Sequence, residues 1–109
     1  MALAKRKTVR GSKTGRPIMV LLDLIGRRWT LRIIWELRGE PLTSRALREK
    51  CDDISPTVLQ QRVNELREAG FVELVTPGGY RLTALGRELL ESTNALYHFA
   101  ERWAKAVRA

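Results

Sequence analysis

Three side-chain amides, Gln60, Gln61 and Asn64, stand in "SPTVLQQRVNELREAG" (55–70), where an exposed helix face would ordinarily carry Glu and Lys. An amide donates and accepts at once, so it can meet a partner that presents both, as the N6 and N7 edge of adenine does. Lys only donates and a carboxylate only accepts. Ser55 and Thr57, at the head of the same stretch, have hydroxyls with the same dual capacity. Arg27, Arg28, Arg45 and Arg81 are candidates for anionic partners, phosphate above all. Other chemistry is poorly provided for. The single histidine, His98, has Glu101 one helical turn away, which makes two ligands where a metal site takes three or four. No Gly-rich phosphate loop, nucleophile elbow or paired carboxylates occur, so the expectation is a protein that is not an enzyme and needs no metal or cofactor. A small-molecule effector stays open, because no residue pattern identifies one.

The amides do chemistry only if something holds them outward, and the same stretch is built as a well-defined helix. Ser55 is a good N-cap, Pro56 falls at N1, and Ile54 with Leu59 has the spacing of a hydrophobic staple. Gly70 occupies the favoured C′ position. At about 100° per residue, Leu59, Val63 and Leu66 share one narrow stripe, with Thr57, Gln61, Asn64 and Glu68 opposite and Gln60 beside them. As polar filler the amides would need no explanation. Their place on the outer face of a helix that follows a tight turn favours base reading instead.

Charge is unevenly spread. The chain of 109 residues has 20 Lys and Arg against 12 Asp and Glu, a net charge of +8. Lys5, Arg6, Lys7, Arg10, Lys13 and Arg16 all lie in the first 16 residues, where there is no acid, and the remaining 14 bases and 12 acids nearly balance. Residues 1–16 are too poor in apolar side chains to fold alone and read as a flexible basic arm drawn to a polyanion, with a mere solubility tail as the bland alternative. Residues 17–109 then form one domain with a single modest core. No apolar segment directly follows the charged N-terminus, and "IMVLLDLIG" is far too short to span a bilayer. One cysteine, Cys51, permits no intrachain disulfide, which suits a reducing cytoplasm.

The breakers set out the remaining elements. Pro17 opens a helix through Ile25, closed by Gly26, and a second is expected from about Trp29 to Arg38, closed by Gly39. Arg27 and Arg28 fall just ahead of that second helix, where free amides would also favour a phosphate. Trp29 is assigned to the core between the two helices. Thr43 can cap "SRALREK", which places Arg45 early in a third helix, and "CDDI" leads to the fourth helix, about 55–69. "FVELV" and "YRLT" flank "TPGG" as a short hairpin with Arg81 beyond its turn, and Thr83 caps a long terminal helix, about 84–107. Helix, tight turn, helix and hairpin in this order predict a mainly α (α+β) fold, a winged helix-turn-helix with a two-stranded wing. In that arrangement the second helix of the pair lies in the major groove of double-stranded DNA. The terminal helix carries a stripe of Leu85, Leu89, Leu96, Phe99, Trp103 and Val107, and the first helix, with Met19 and Leu22, is apolar over most of its surface. A body this small cannot cover both, so these N- and C-terminal helices are expected to form a two-fold dimer interface.

"DLIGRRWTLRIIWEL", "ISPTVLQQRVNELREAGFVE" and "YRLTALGREL" together resemble the HxlR-type winged-helix transcription regulators, relatives of the MarR group, over about residues 17–104. The resemblance implies a homodimer that binds palindromic promoter DNA, with the fourth helix in the groove and the hairpin as wing. Members commonly begin the first helix with Cys-Pro, and some sense oxidants through that cysteine; here the pair is Arg16-Pro17, so sensing by that route is absent. Cys51 aligns with a usually apolar position, which implies a small core residue. An architectural DNA protein without sequence choice, or a winged helix that contacts protein, is the alternative that the basic arm alone would also fit.

Overall fold

A computed structural model describes residues 16–75 and 77–108. The chain folds as α1 (Pro17–Ile25), α2 (Thr30–Glu36), β1 (Leu42–Thr43), α3 (Ser44–Lys50), α4 (Pro56–Glu68), β2 (Val72–Val75), β3 (Gly79–Leu82) and α5 (Ala84–Arg108). It is mostly helical, with one small antiparallel sheet in the strand order β1-β3-β2. α2 sits at the centre and touches α1, α3, α4 and α5. Its Ile33 and Ile34, with Leu37 just beyond its end, are fully buried beside Leu47, Cys51, Val63 and Leu66. Each large aliphatic side chain buried in this way contributes roughly 1.5–3 kcal/mol.

The expected caps form. The Thr43 hydroxyl accepts from the Ala46 amide at 3.1 Å, that of Ser55 from the Val58 amide at 3.1 Å, and that of Thr83 from the Gly86 amide at 3.0 Å. Pro17 and Pro56 open their helices, and Gly70 leaves α4 with φ of 88°, a conformation that glycine adopts without penalty. The Thr83 hydroxyl also donates to the carbonyl of Gly70 at 2.6 Å, so one residue caps α5 and ties it to the end of α4.

Two boundaries differ from expectation. α2 starts at Thr30 and ends at Glu36, shorter at both ends than 29–38. Trp29 has φ of 79°, which no right-handed helix can include, and the Arg38 amide bonds back to the Trp35 carbonyl in a tighter final turn. The β2–β3 hairpin is the two-stranded wing, but Leu42 and Thr43 add a third strand by pairing with Tyr80 and Gly79 of β3. Two residues are too few to show a strand's alternation.

Close packing fixes α5. A Cβ on Gly86 would lie 2.0 Å from the Phe71 carbonyl oxygen, so the helix backbone rests directly on the segment leading into β2. Farther along, the Tyr97 hydroxyl donates to the Leu31 carbonyl at 2.7 Å, and its ring lies 5.0 Å from that of Trp35. The Arg38 guanidinium covers the Trp35 ring at 4.0 Å, extending the stack to the surface. Beyond Tyr97 most of α5 is exposed. Leu89 is a correction to the expected interface: it is buried in this chain's own core, whereas Leu96, Phe99 and Trp103 from the same stripe are about half exposed. Periodicity marks an apolar stripe but not which surface covers it. On α1, Val20 and Leu24 face inward, Met19 is half-buried, and Ile18 and Leu22 are exposed.

Candidate nucleic-acid interface

α4 is held from behind by Leu59, Val63 and Leu66, all buried, and presents Thr57, Gln60, Gln61, Asn64 and Glu68 on its exposed side. Gln60 Nε2 donates to Asn64 Oδ1 at 2.9 Å across one helical turn. That bond uses one donor of Gln60 and one lone pair of Asn64, and it orders both amides while leaving each a donor and an acceptor. Ser55 is exposed at the N-cap, and its hydroxyl already accepts from the Val58 amide, which leaves its proton for another partner.

The flank of α4 is tied to the rest of the protein by charge. Glu65 pairs with Arg62 on its own helix and, at 2.8 Å, with Arg27. Arg27 also donates to Asp23 of α1 at 3.0 Å, so one guanidinium joins α1 to α4. Its two carboxylate partners largely neutralise it. Arg28 is exposed with its guanidinium 5.8 Å from the Trp29 ring centre, and Trp29 packs partly buried against the core, as its assignment between α1 and α2 required.

The other candidate arginines lie on α3, on β3 and just ahead of α1. Arg45 on α3 is 91% exposed and only loosely approached by Glu49, at 3.9 Å. Arg81 on β3 is directly opposite Glu73 on β2 in the ladder and bonds to it at 2.7 Å. Arg16 is exposed just before α1, while Lys5, Arg6, Lys7, Arg10 and Lys13 lie outside the described residues. Sequence reasoning missed Arg67. It lines an open groove between α4 and the wing, together with Asn64, Glu68, Val72, Glu73 and Leu74. Its spacing of three from Asn64 on the same helix was the available signal.

Cys51, at the end of α3, is fully buried and in the core cluster. Burial pushes its thiol above the ordinary range, partly countered by the nearby Arg32 charge, so the reactive thiolate is suppressed. Among the described residues, no group of three or more His, Cys, Asp or Glu side chains is placed to hold a metal ion.

A helix pair whose second member presents hydrogen-bonding side chains beside a β-hairpin defines a winged helix-turn-helix protein. The chain belongs to the HxlR-like helix-turn-helix family, whose model matches residues 24–108. Among solved structures it is similar to a possible HxlR family transcriptional factor from Thermoplasma volcanium GSS1, at 26% identity and a TM-score of 0.75, over 82% of this chain and 85% of that one. It is also similar to quinone-bound YodB from B. subtilis, at 26% identity and a TM-score of 0.67, over 84% of this chain and 97% of that one. A third similar structure, described as a MarR-family transcriptional regulator from Enterococcus faecalis V583, shares 25% identity at a TM-score of 0.70, over 94% of this chain and 100% of that one. No curated protein matches the chain. Family and neighbours together support a DNA-binding regulator of transcription.

Proposed function

We propose that the chain is a homodimeric, sequence-specific transcription regulator that reads a palindromic operator with α4. The observation that carries this reading is the joint exposure of Gln60, Gln61 and Asn64 on the one face of α4 that the core does not use. Amides there match the paired donor and acceptor of adenine, and Ser55 and Thr57 extend the same face toward neighbouring bases. Arg28, Arg45 and Arg16 are assigned to phosphates. Arg27 and Arg81 join them only by exchanging carboxylate partners, and so rank below the rest. Residues 1–16, with Lys5, Arg6, Lys7, Arg10 and Lys13, act as a basic arm that adds affinity without sequence choice, and 17–109 form the DNA-binding domain.

Dimerisation is supported by the apolar surface left open on α1 and α5. Leu22 and Ile18 on α1 and Leu96, Phe99, Trp103 and Val107 on α5 are exposed, and Met19 on α1 is half-buried. Pairing these helices about a two-fold axis would set two copies of α4 about 34 Å apart, one turn of DNA. No helix among the described residues is long and apolar enough to cross a membrane, and we assign the protein to the cytoplasm with its DNA. Footprinting on genomic fragments tests the reading. A protected inverted repeat is the expected result, and uniform protection without sequence choice would make the protein an architectural DNA binder.

A further inference from the structure

The turn between α3 and α4 contains two consecutive residues in the left-handed region, Asp52 with φ of 54° and Asp53 with φ of 57°. Asp tolerates this region better than most residues that carry a Cβ, but such conformations persist only where the surroundings over-determine them. The surroundings here are two arginines. From α2, Arg32 Nη2 donates to the Lys50 carbonyl at 2.7 Å and Nη1 to Asp52 Oδ2 at 3.3 Å, while Glu36 on the next turn of α2 holds its Nε at 2.9 Å. The Lys50 carbonyl ends α3, where a cation is favoured. From α3, Arg48 Nε donates to the Ile54 carbonyl at 2.8 Å, and the main chain closes the turn with the Asp53 amide on the Arg48 carbonyl.

Ser55 and α4 follow at once, so the turn sets the direction of the helix. Burial of Cys51 and Ile54 locates the turn against the core, and Leu59, Val63 and Leu66 seat the inner face of α4, but apolar packing along one stripe still admits a small tilt of the helix about that stripe. Asn64 is the ninth residue of α4 and lies about 12 Å along its axis at about 1.5 Å per residue. A tilt of about 10° at Ser55 therefore moves Asn64 by about 2 Å, which is enough to break a hydrogen bond to a base edge.

We propose that Arg32 is a positioning residue for base reading: without touching DNA, it clamps the Asp52–Asp53 turn to α2 and so sets the angle at which α4 presents its amides. The proposal rests on α4 being the reading helix and adds a residue that lies on neither α4 nor the wing. Arg48 shares the turn but belongs to α3 itself, whereas Arg32 bonds the turn to a different helix of the body.

The test uses the full chain and two DNA duplexes of equal length, one enriched by the wild-type protein from a random-sequence library and one scrambled. Arg32→Met keeps the aliphatic stem and removes every donor, and because the side chain lies at the surface it opens no cavity. Affinity for the enriched duplex should fall about tenfold, the equivalent of one bidentate base pairing, while affinity for the scrambled duplex changes by less than about twofold. Amide exchange at Asp53 and Ile54 should quicken. Arg32→Lys should recover part of the loss, and so should Asp53→Gly placed in the Met variant, because glycine adopts the left-handed conformation without a clamp. Equal losses on both duplexes, or unchanged exchange at Asp53 and Ile54, would overturn the proposal. A wild-type protein that enriches no sequence would overturn the base-reading function itself, and the exchange measurement would still decide whether Arg32 holds the turn.

Discussion

Gly86→Ala sets two opposing effects against each other, and their magnitudes decide the sign. Ala is the better helix former by about 1 kcal/mol, so inside an exposed helix the change would stabilise. At residue 86 the new methyl would lie 2.0 Å from the Phe71 carbonyl oxygen and 3.3 Å from the Leu82 Cβ. That oxygen cannot simply swing away. It accepts the Thr83 amide at 3.0 Å, and the adjoining Gly70 carbonyl is held by the Thr83 hydroxyl. Relief requires α5 to lift off Phe71 and β3 by more than about 1 Å, an overpacking cost of about 3 kcal/mol for backbone against backbone. The net loss is about 2 kcal/mol, which for a domain of this size lowers Tm by roughly 8–16 °C. Thermal unfolding followed by circular dichroism in the far ultraviolet reads this directly, with Gly39→Ala in the same chain as reference because a Cβ there meets nothing within 4 Å. An unchanged or raised Tm for Gly86→Ala would refute the close approach and, with it, the account of how α5 is seated.

Gln61→Ala or Asn64→Ala should cost about 1–3 kcal/mol on the preferred duplex and little on random DNA, as measured by anisotropy; equal losses would remove the amides from base reading. Deleting residues 1–16 should weaken binding to both DNAs and reduce the slope of log K against log salt by roughly 0.9 for each phosphate no longer neutralised, and an unchanged slope would leave the arm without a DNA role. Trp103→Asp places a carboxylate in the exposed apolar patch of α5 and should yield monomers in sedimentation with weaker operator binding, whereas a mutant still dimeric at micromolar concentration would move the interface elsewhere. Cys51→Ala should cost about 1 kcal/mol and leave DNA binding intact; with burial holding the thiol protonated, the folded protein should resist thiol reagents, and rapid labelling would contradict the packing.

What the sequence reveals follows the range of the interactions. α4 is legible because Ser55, Pro56, the Leu59–Val63–Leu66 stripe and Gly70 all act within one helix, and the Thr43 and Thr83 caps are equally local. The outward amides follow from the same periodicity. β1 is not legible, since Leu42 and Thr43 become a strand only by meeting Tyr80 and Gly79 more than thirty residues later. Trp29 offers no local sign of a positive φ, because bulky residues seldom adopt one, and tertiary packing imposes it. The arginines are visible as charges but not as partners. Arg27 meets Glu65 and Arg32 meets Asp52 across turns whose geometry no spacing rule supplies. Leu89 marks the same limit in the apolar stripe, where one periodicity serves two surfaces.

The pairing of β1 with β3 bears on the order in which the molecule assembles. Leu42–Thr43 and Gly79–Tyr80 enclose both α3 and α4, so their ladder closes a loop of more than thirty residues. A flexible loop of that length would resist closure by several times the thermal energy, and two residues of strand return too little to overcome it. Closure becomes favourable once α3 and α4 have folded against α2 and shortened the path. The hairpin β2–β3, by contrast, needs only its own turn and can form within microseconds. The smallest strand is therefore expected to form late in folding, after the helix pair it encloses.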